Sequence, residues 1–193
     1  MSVVAGDDGR LRCPWGADSP EYVAYHDHEW GKPITTVDGL YERLTLEGFQ
    51  SGLSWLTILR KRENFRAAFA RFDPGQVAAF DSADIERLMA DVGIVRNRAK
   101  IEAAIANARV VADLGEDFAT LILGFAQPDL SRPRTIDEIP ASTPESVTLA
   151  KQLKRHGIRF VGPTTAYALM QAVGLVDDHL AECFVRPRRV AST

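Results

Sequence analysis

The sequence predicts an all-α domain of roughly eight to ten short helices. Three observations carry that expectation. Ser, Asp or Thr followed by Pro marks helix starts at Ser19-Pro20, Asp73-Pro74 and Thr143-Pro144. A side-chain oxygen there accepts an orphan backbone N–H, and Pro at the first helical position has no N–H to satisfy. Apolar residues recur at three- and four-residue spacing through much of the chain. No segment alternates apolar and polar residues between hairpin turns, as half-buried strands do.

The elements follow in chain order. Ser19 caps a first helix. Leu40, Leu44 and Phe49, then Trp55, Ile58, Leu59, Phe65 and Phe69, mark the buried faces of the next ones. Asp73 caps another, and Ser82 reads as the N-cap of its successor, with Glu86 one place late for a capping box. Within 97–114, Ile101, Ala104, Ile105, Ala108 and Val111 share one helical face. Gly124 to Pro140, with Pro128, Pro133 and Pro140, reads as a long loop. Thr143-Pro144 opens a helix that Gly157 stops.

The 193 residues are 46% hydrophobic and 25% charged, enough for one packed domain and unlike a disordered or fibrous chain. A single domain is expected over residues 11–186, with flexible ends at 1–10 and 187–193. No apolar run approaches the roughly 20 residues of a membrane span. Met1 to Gly9 lacks the basic and apolar regions of a secretory signal.

The net charge of −3 hides segregated blocks. Residues 51–109 hold ten bases and seven acids, and residues 150–193 seven and three, while the segments before each are acidic. The bases cluster at Arg60, Lys61, Arg62, Arg66 and Arg71, at Arg96, Arg98 and Lys100, and at Lys151, Lys154, Arg155 and Arg159. Gathered on one face they would form a footprint for a nucleic-acid backbone; scattered, they are solvated helix faces.

The two cysteines, Cys13 and Cys183, do not suit a disulfide in a chain without a secretion signal. Cys13 precedes His26 by thirteen residues, and His179 precedes Cys183 by four, one helical turn. Two thiols and two imidazoles make a frequent structural zinc set, and four protein ligands leave no open position for water activation. The alternative is a pair of buried thiols with unrelated histidines. His28 and His156 read as surface residues.

Residues 153–170 read as helix, Gly-bounded turn, helix. Gly157 and Gly162 permit a tight backbone approach. The helix start at Pro163 and Thr164 leaves N–H groups for a phosphate oxygen, with Lys154 and Arg159 beside it. A plain helix–turn–helix corner fits the same segment. Trp15, Trp30 and Trp55, with Tyr22 and Tyr25, crowd the first third, and Glu47 sits in an otherwise apolar stretch. Rings stack on a flat base and a carboxylate accepts its N–H groups, although core packing is the common fate of Trp and Tyr.

These residues together resemble the DNA-3-methyladenine glycosylase I family of bacteria. The resemblance runs from about Arg12 to Cys183. It rests on Arg12-Cys13-Pro14-Trp15, Tyr25 to Gly31, Leu46 to Trp55, Lys61 to Asn64, Gly93 to Ile101, Phe160 to Gly162, and Gly174 to Cys183. It implies the helix-hairpin-helix glycosylase fold with a zinc-stapled subdomain joining the chain's two ends. One structural Zn²⁺ would be held by Cys13, His26, His179 and Cys183. It also implies a base pocket of Glu47, Tyr25 and Trp55 with Trp30 beside it, Glu47 carrying the chemistry. DNA contacts are expected from Leu53 as a wedge (or else core), from Gly157, Gly162 and Thr164, and from Arg159 and Lys154.

The implied activity is excision of 3-methyladenine from double-stranded, alkylated DNA by hydrolysis of the N-glycosidic bond. A monomer without membrane attachment is expected, in the bacterial cytoplasm and on the nucleoid through its DNA. Members of the wider superfamily with lyase activity add a Lys on the hairpin's second helix. No Lys follows Gly162 here, so no strand cleavage is expected. The resemblance implies that Asp178 is structural. A non-catalytic damage-binding module would need the hairpin and basic blocks but no Glu47 pocket, and a zinc hydrolase would need an open metal position.

Overall fold

The computed structural model describes residues 1–127 and 131–187, and these hold nine α-helices and one short ribbon. The expected capping chemistry sets most of the boundaries. Ser19 accepts the Tyr22 N–H at the start of α1 (Pro20–His28), Thr36 that of Gly39 at α2 (Val37–Gln50), and Ser54 that of Thr57 at α3 (Trp55–Ala68). Asp73 caps α4 (Pro74–Ala78). At α5 (Ser82–Ala90) the expectation is corrected by one residue. Asp81 is the N-cap and closes a capping box with Asp84, because its carboxylate takes two backbone N–H groups and leaves Ser82 inside the first turn. Asn97 caps α6 (Arg98–Leu114), and α7 (Glu116–Leu123) follows across Gly115. Thr143 and Ser146 form a second capping box at α8 (Pro144–Arg155), and α9 (Pro163–Ala172) begins at Gly162 without a side-chain cap.

One small departure from an all-α reading occurs at the amino end. Val4–Ala5 (β1) pairs antiparallel with Leu11–Arg12 (β2), and the Ile136 N–H donates to the Met1 carbonyl at 3.0 Å. Met1, Val4, Ala5, Gly6, Gly9 and Arg10 therefore have backbone partners. The long loop carries a helical turn at Ile136–Glu138. Pro128 lies outside the described residues, as do 188–193 of the expected flexible end.

The buried spine is α2. Leu40, Tyr41, Leu44, Leu46 and Phe49 are enclosed, and the Tyr41 hydroxyl donates to the Ala104 carbonyl at 2.9 Å on α6. The predicted face of α6, Ile101 to Val111, is wholly buried. Phe49, Phe65, Phe69 and Phe72 follow one another in series, the first pair tilted by 58° and the last pair stacked with ring planes 2° apart. To place Phe72 there, Ala70, Arg71 and Phe72 adopt φ of 48°, 54° and 61°. That left-handed run costs about 1–2 kcal/mol per residue and is offset by full burial of the two rings.

The helical pair α8 and α9 is joined by a turn in which Gly157 has φ +94°, a conformation only glycine takes without strain. Asn107 of α6 pins that turn at two points. Its Nδ2 donates to the Arg159 carbonyl at 3.1 Å, and its Oδ1 accepts the Arg159 N–H at 2.7 Å. After α9 no further helix occurs among the described residues. The expectation that His179 and Cys183 share a helical face is thus corrected: the Asp177 carboxylate takes the His179 backbone N–H at 3.2 Å, a local turn that competes with helix. No described helix is long and apolar enough to cross a membrane.

Candidate active site and metal centre

The fold brings α1, the end of α2, the start of α3, α9 and the 136–139 turn around one cavity of about 420 Å³. Its aromatic wall comprises Trp15, Tyr22, Tyr25, Trp30 and Trp55, and Glu47 and Gln50 supply polar groups from α2. Ala168 and Gln171 of α9, with Ile136 and Ile139, complete the lining. Of the residues that sequence reasoning placed here, Tyr25, Trp30, Glu47 and Trp55 all line the cavity.

Each is held by a nameable contact. Tyr25 lies 5.6 Å from Trp55, centroid to centroid, and its hydroxyl accepts from Arg43 Nη1 at 3.0 Å. The same guanidinium sits 5.3 Å from the Tyr25 ring and 5.7 Å from the Trp55 ring, a cation between two π faces. Trp15 meets Trp30 edge-on at 4.9 Å. The Tyr22 hydroxyl accepts the Leu56 N–H at 3.1 Å, tying α1 to the first turn of α3. Glu47 is buried, and burial raises its carboxyl to about 7, with the nearby Arg43 charge pulling the other way. Burial likewise pushes the Tyr25 phenol well above its ordinary range, so it stays protonated.

Arg43, Gln50 and Gln171 escaped sequence reasoning. Only the spacing of Arg43 one turn before Glu47 hinted at a partner.

Behind the aromatic wall lies the thiol and imidazole group. Cys13, His26 and Cys183 are buried, with ligand atoms all within 4.8 Å of one another. His179 adjoins them, its ring 5.0 Å from that of His26. Asp27 bonds His26 Nδ1 and Asp177 bonds His179 Nδ1, each at 2.8 Å, and His26 turns Nε2 to 3.5 Å from Cys183 Sγ. The His179 Nε2 is buried with no hydrogen-bond partner among the described residues. Two buried thiols and the His26 imidazole, which a carboxylate orients, could hold a metal ion, while His179 lies outside the 4.8 Å that gathers these three ligand atoms. The Leu180 N–H donates to Cys13 Sγ at 3.3 Å, as thiolate ligands often require. The bond from Cys13 lowers the Cys183 thiol, and the same bond, with burial, raises Cys13.

The expected DNA-facing residues divide. Leu53 is 38% exposed on the loop between α2 and α3, so it is not core. Lys154, Gly157, Arg159 and Thr164 are exposed and Gly162 half-buried on the α8–α9 turn. The first basic block is mostly engaged internally: Arg60 pairs with Glu21, Arg62 with Glu29, and Arg66 with Glu42 and Glu63. Lys100 is buried, its Nζ donating to the Phe49 and Ser51 carbonyls at 2.9 and 2.6 Å.

Residues 15–186 match the family model of methyladenine glycosylases. DNA-3-methyladenine glycosylase 1 of Escherichia coli is 49% identical over 181 residues, covering 91% of this chain and 97% of that one. The DNA-3-methyladenine glycosylase of Haemophilus influenzae is 44% identical over 177 residues, 89% and 96% of the two chains. Among solved structures, a 3-methyladenine DNA glycosylase I aligns with a TM-score of 0.87 at 48% identity, covering 91% of this chain and all of that one. The Staphylococcus aureus enzyme, solved to show 3-methyladenine recognition, aligns at 0.85 and 35% identity over 92% and 97%. The fold is that of a DNA glycosylase, a hydrolase of N-glycosyl bonds. Within that class, the chain belongs to the methyladenine glycosylase family.

Proposed function

We propose that this chain flips an alkylated nucleotide out of duplex DNA and excises 3-methyladenine, leaving an abasic site and an intact strand. The observation that carries this reading is a buried carboxyl, Glu47, facing a cavity walled by tryptophan and tyrosine rings. A base methylated at N3 is cationic, so its glycosidic bond is already weakened and the departing base needs no general acid. The C1′–N9 electron pair leaves with the base and neutralises its charge. Water adds to the oxocarbenium-like C1′ and gives its proton to solvent. Ionised Glu47 favours the cationic base electrostatically and accepts its N–H groups. Tyr25 and Trp55 stack on it, and Trp30 backs the wall.

DNA contact is assigned to Leu53 as the wedge left in the stack, to the backbone around Gly157, Gly162 and Thr164, and to Lys154 and Arg159. The four-residue clasp of Cys13, His26, His179 and Cys183 is read as holding one structural zinc ion. With four protein ligands it supplies stability to the joined chain ends and takes no part in the reaction. Incubation with methylated DNA should release free 3-methyladenine, identified by chromatography, and Glu47→Ala should cut that release by about 100-fold or more. A wild-type rate in the variant would refute the role of Glu47. A borohydride-trapped enzyme–DNA adduct would refute the absence of strand cleavage.

A further inference from the structure

The two adjacent acids after α9 serve different partners. Asp177 orients His179 and belongs to the clasp. Asp178 turns back onto α9. Its Oδ2 accepts the Tyr167 hydroxyl at 2.6 Å and Gln171 Nε2 at 2.7 Å. Tyr167 and Gln171 lie one turn apart on the same helical face. Burial, then Asp178, raises the Tyr167 phenol, so it holds its proton and donates.

Gln171 also lines the base cavity. An ionised carboxylate only accepts hydrogen bonds, so a carboxamide facing it must present its NH₂. Asp178 therefore decides which way the Gln171 amide lies. The amide carbonyl, Oε1, has no hydrogen bond among the described residues and is the acceptor that Gln171 can offer the cavity it lines.

We propose that Gln171 is a specificity-determining acceptor for the exocyclic amine of the bound base, locked in that orientation by Asp178 as its positioning residue. The proposal rests on the base-excision reading of the cavity. Glu47 on α2 and Gln171 on α9 then offer oxygen acceptors from two walls. A purine with an amine at that edge supplies donors. One with a carbonyl there sets oxygen against oxygen. A site built to pair with a substrate N–H rejects an analogue lacking it, because its own polar group is left unpaired.

The test compares two free bases, 3-methyladenine and 3-methylpurine, which lacks the amine. Binding is followed by tryptophan fluorescence, since Trp15, Trp30 and Trp55 line the cavity. Gln171→Leu should weaken 3-methyladenine about 10-fold and leave 3-methylpurine within about twofold. Asp178→Asn can donate to Oε1 and so lets the amide turn over; it should lose about fivefold for 3-methyladenine alone. Tyr167→Phe keeps the Asp178–Gln171 bond and should keep the wild-type ratio of affinities. Gln171→Met, of similar length, replaces Gln171→Leu if the latter does not fold. Unchanged 3-methyladenine affinity, or equal loss for both bases, overturns the proposal. The wild-type release assay separates the two readings: release without amine discrimination removes this proposal alone, and no release removes both.

Discussion

Glu47 sits among rings with its charged form disfavoured, which is why its carboxyl titrates near 7 and not near its ordinary 4.5. A folded-state pKa above the unfolded value means the protonated acid is the form the fold tolerates. Stability is therefore full at low pH and falls as pH rises through about 7. Glu47→Gln, neutral at every pH, should melt higher than wild type at pH 8, and the gap should shrink by about 2 kcal/mol on going to pH 5. Thermal melts at the two pH values check this. Base release should show the opposite trend, rising through about pH 7 in wild type as the carboxylate forms, and staying low and flat in the variant. The cavity's aromatics and Glu47 were legible because an acid in an apolar stretch demands a partner. Lys100 was not: its charge reads as surface, yet it caps the end of α2 through the Phe49 and Ser51 carbonyls. Nor was Gln171, whose role arises only when Asp178 folds back beside it.

The turn between α8 and α9 depends on a residue from another helix. Asn107 holds both backbone groups of Arg159 just before Phe160, which stands at φ +54° and is 47% exposed. Asn107→Leu leaves those groups unpaired, at a cost of about 1–3 kcal/mol, and frees the turn. Duplex affinity, measured by fluorescence anisotropy, should fall several-fold, while free 3-methyladenine binds as in wild type, because the cavity is built elsewhere. Loss of both affinities would show a general collapse instead. Element starts were legible wherever Ser, Asp or Thr preceded Pro, since the cap and the missing N–H are local chemistry. The segment from His179 to Cys183 was not, because its shape is set by the Asp177 turn and by the clasp. Spacing alone cannot distinguish a helical i, i+4 pair from two turn residues drawn to the same point.

For the whole molecule, the clasp is a closure between residues at opposite ends of the chain. Cys13 and Cys183 bracket nearly the entire fold, so an ion held between them would bind the folded chain and not the unfolded one, and would stabilise it by that difference. The Trp30 ring lies 4.6 Å from that of His179, and Trp15 lies 5.2 Å from His26, so the clasp backs the cavity wall directly. A strong chelator should lower the melting temperature by several degrees and shift tryptophan emission, and added zinc should restore both. Calorimetry and fluorescence with and without chelator check this; an unchanged melt would remove the metal from the account. The net charge also reads differently once folded. Much of the first basic block is spent on ion pairs with Glu21, Glu29 and Glu42, while Lys154 and Arg159 are exposed at and beside the α8–α9 turn with no ion pair among the described residues.

The same closure has a consequence for synthesis. The cavity draws one wall from Trp15 and another from Gln171, and the clasp behind it waits for Cys183. A chain leaving the ribosome amino end first carries its tryptophans and Cys13 long before their partners exist. The nascent protein can form α2 and its phenylalanine stack early, but its site assembles only after α9 and the following turns have emerged.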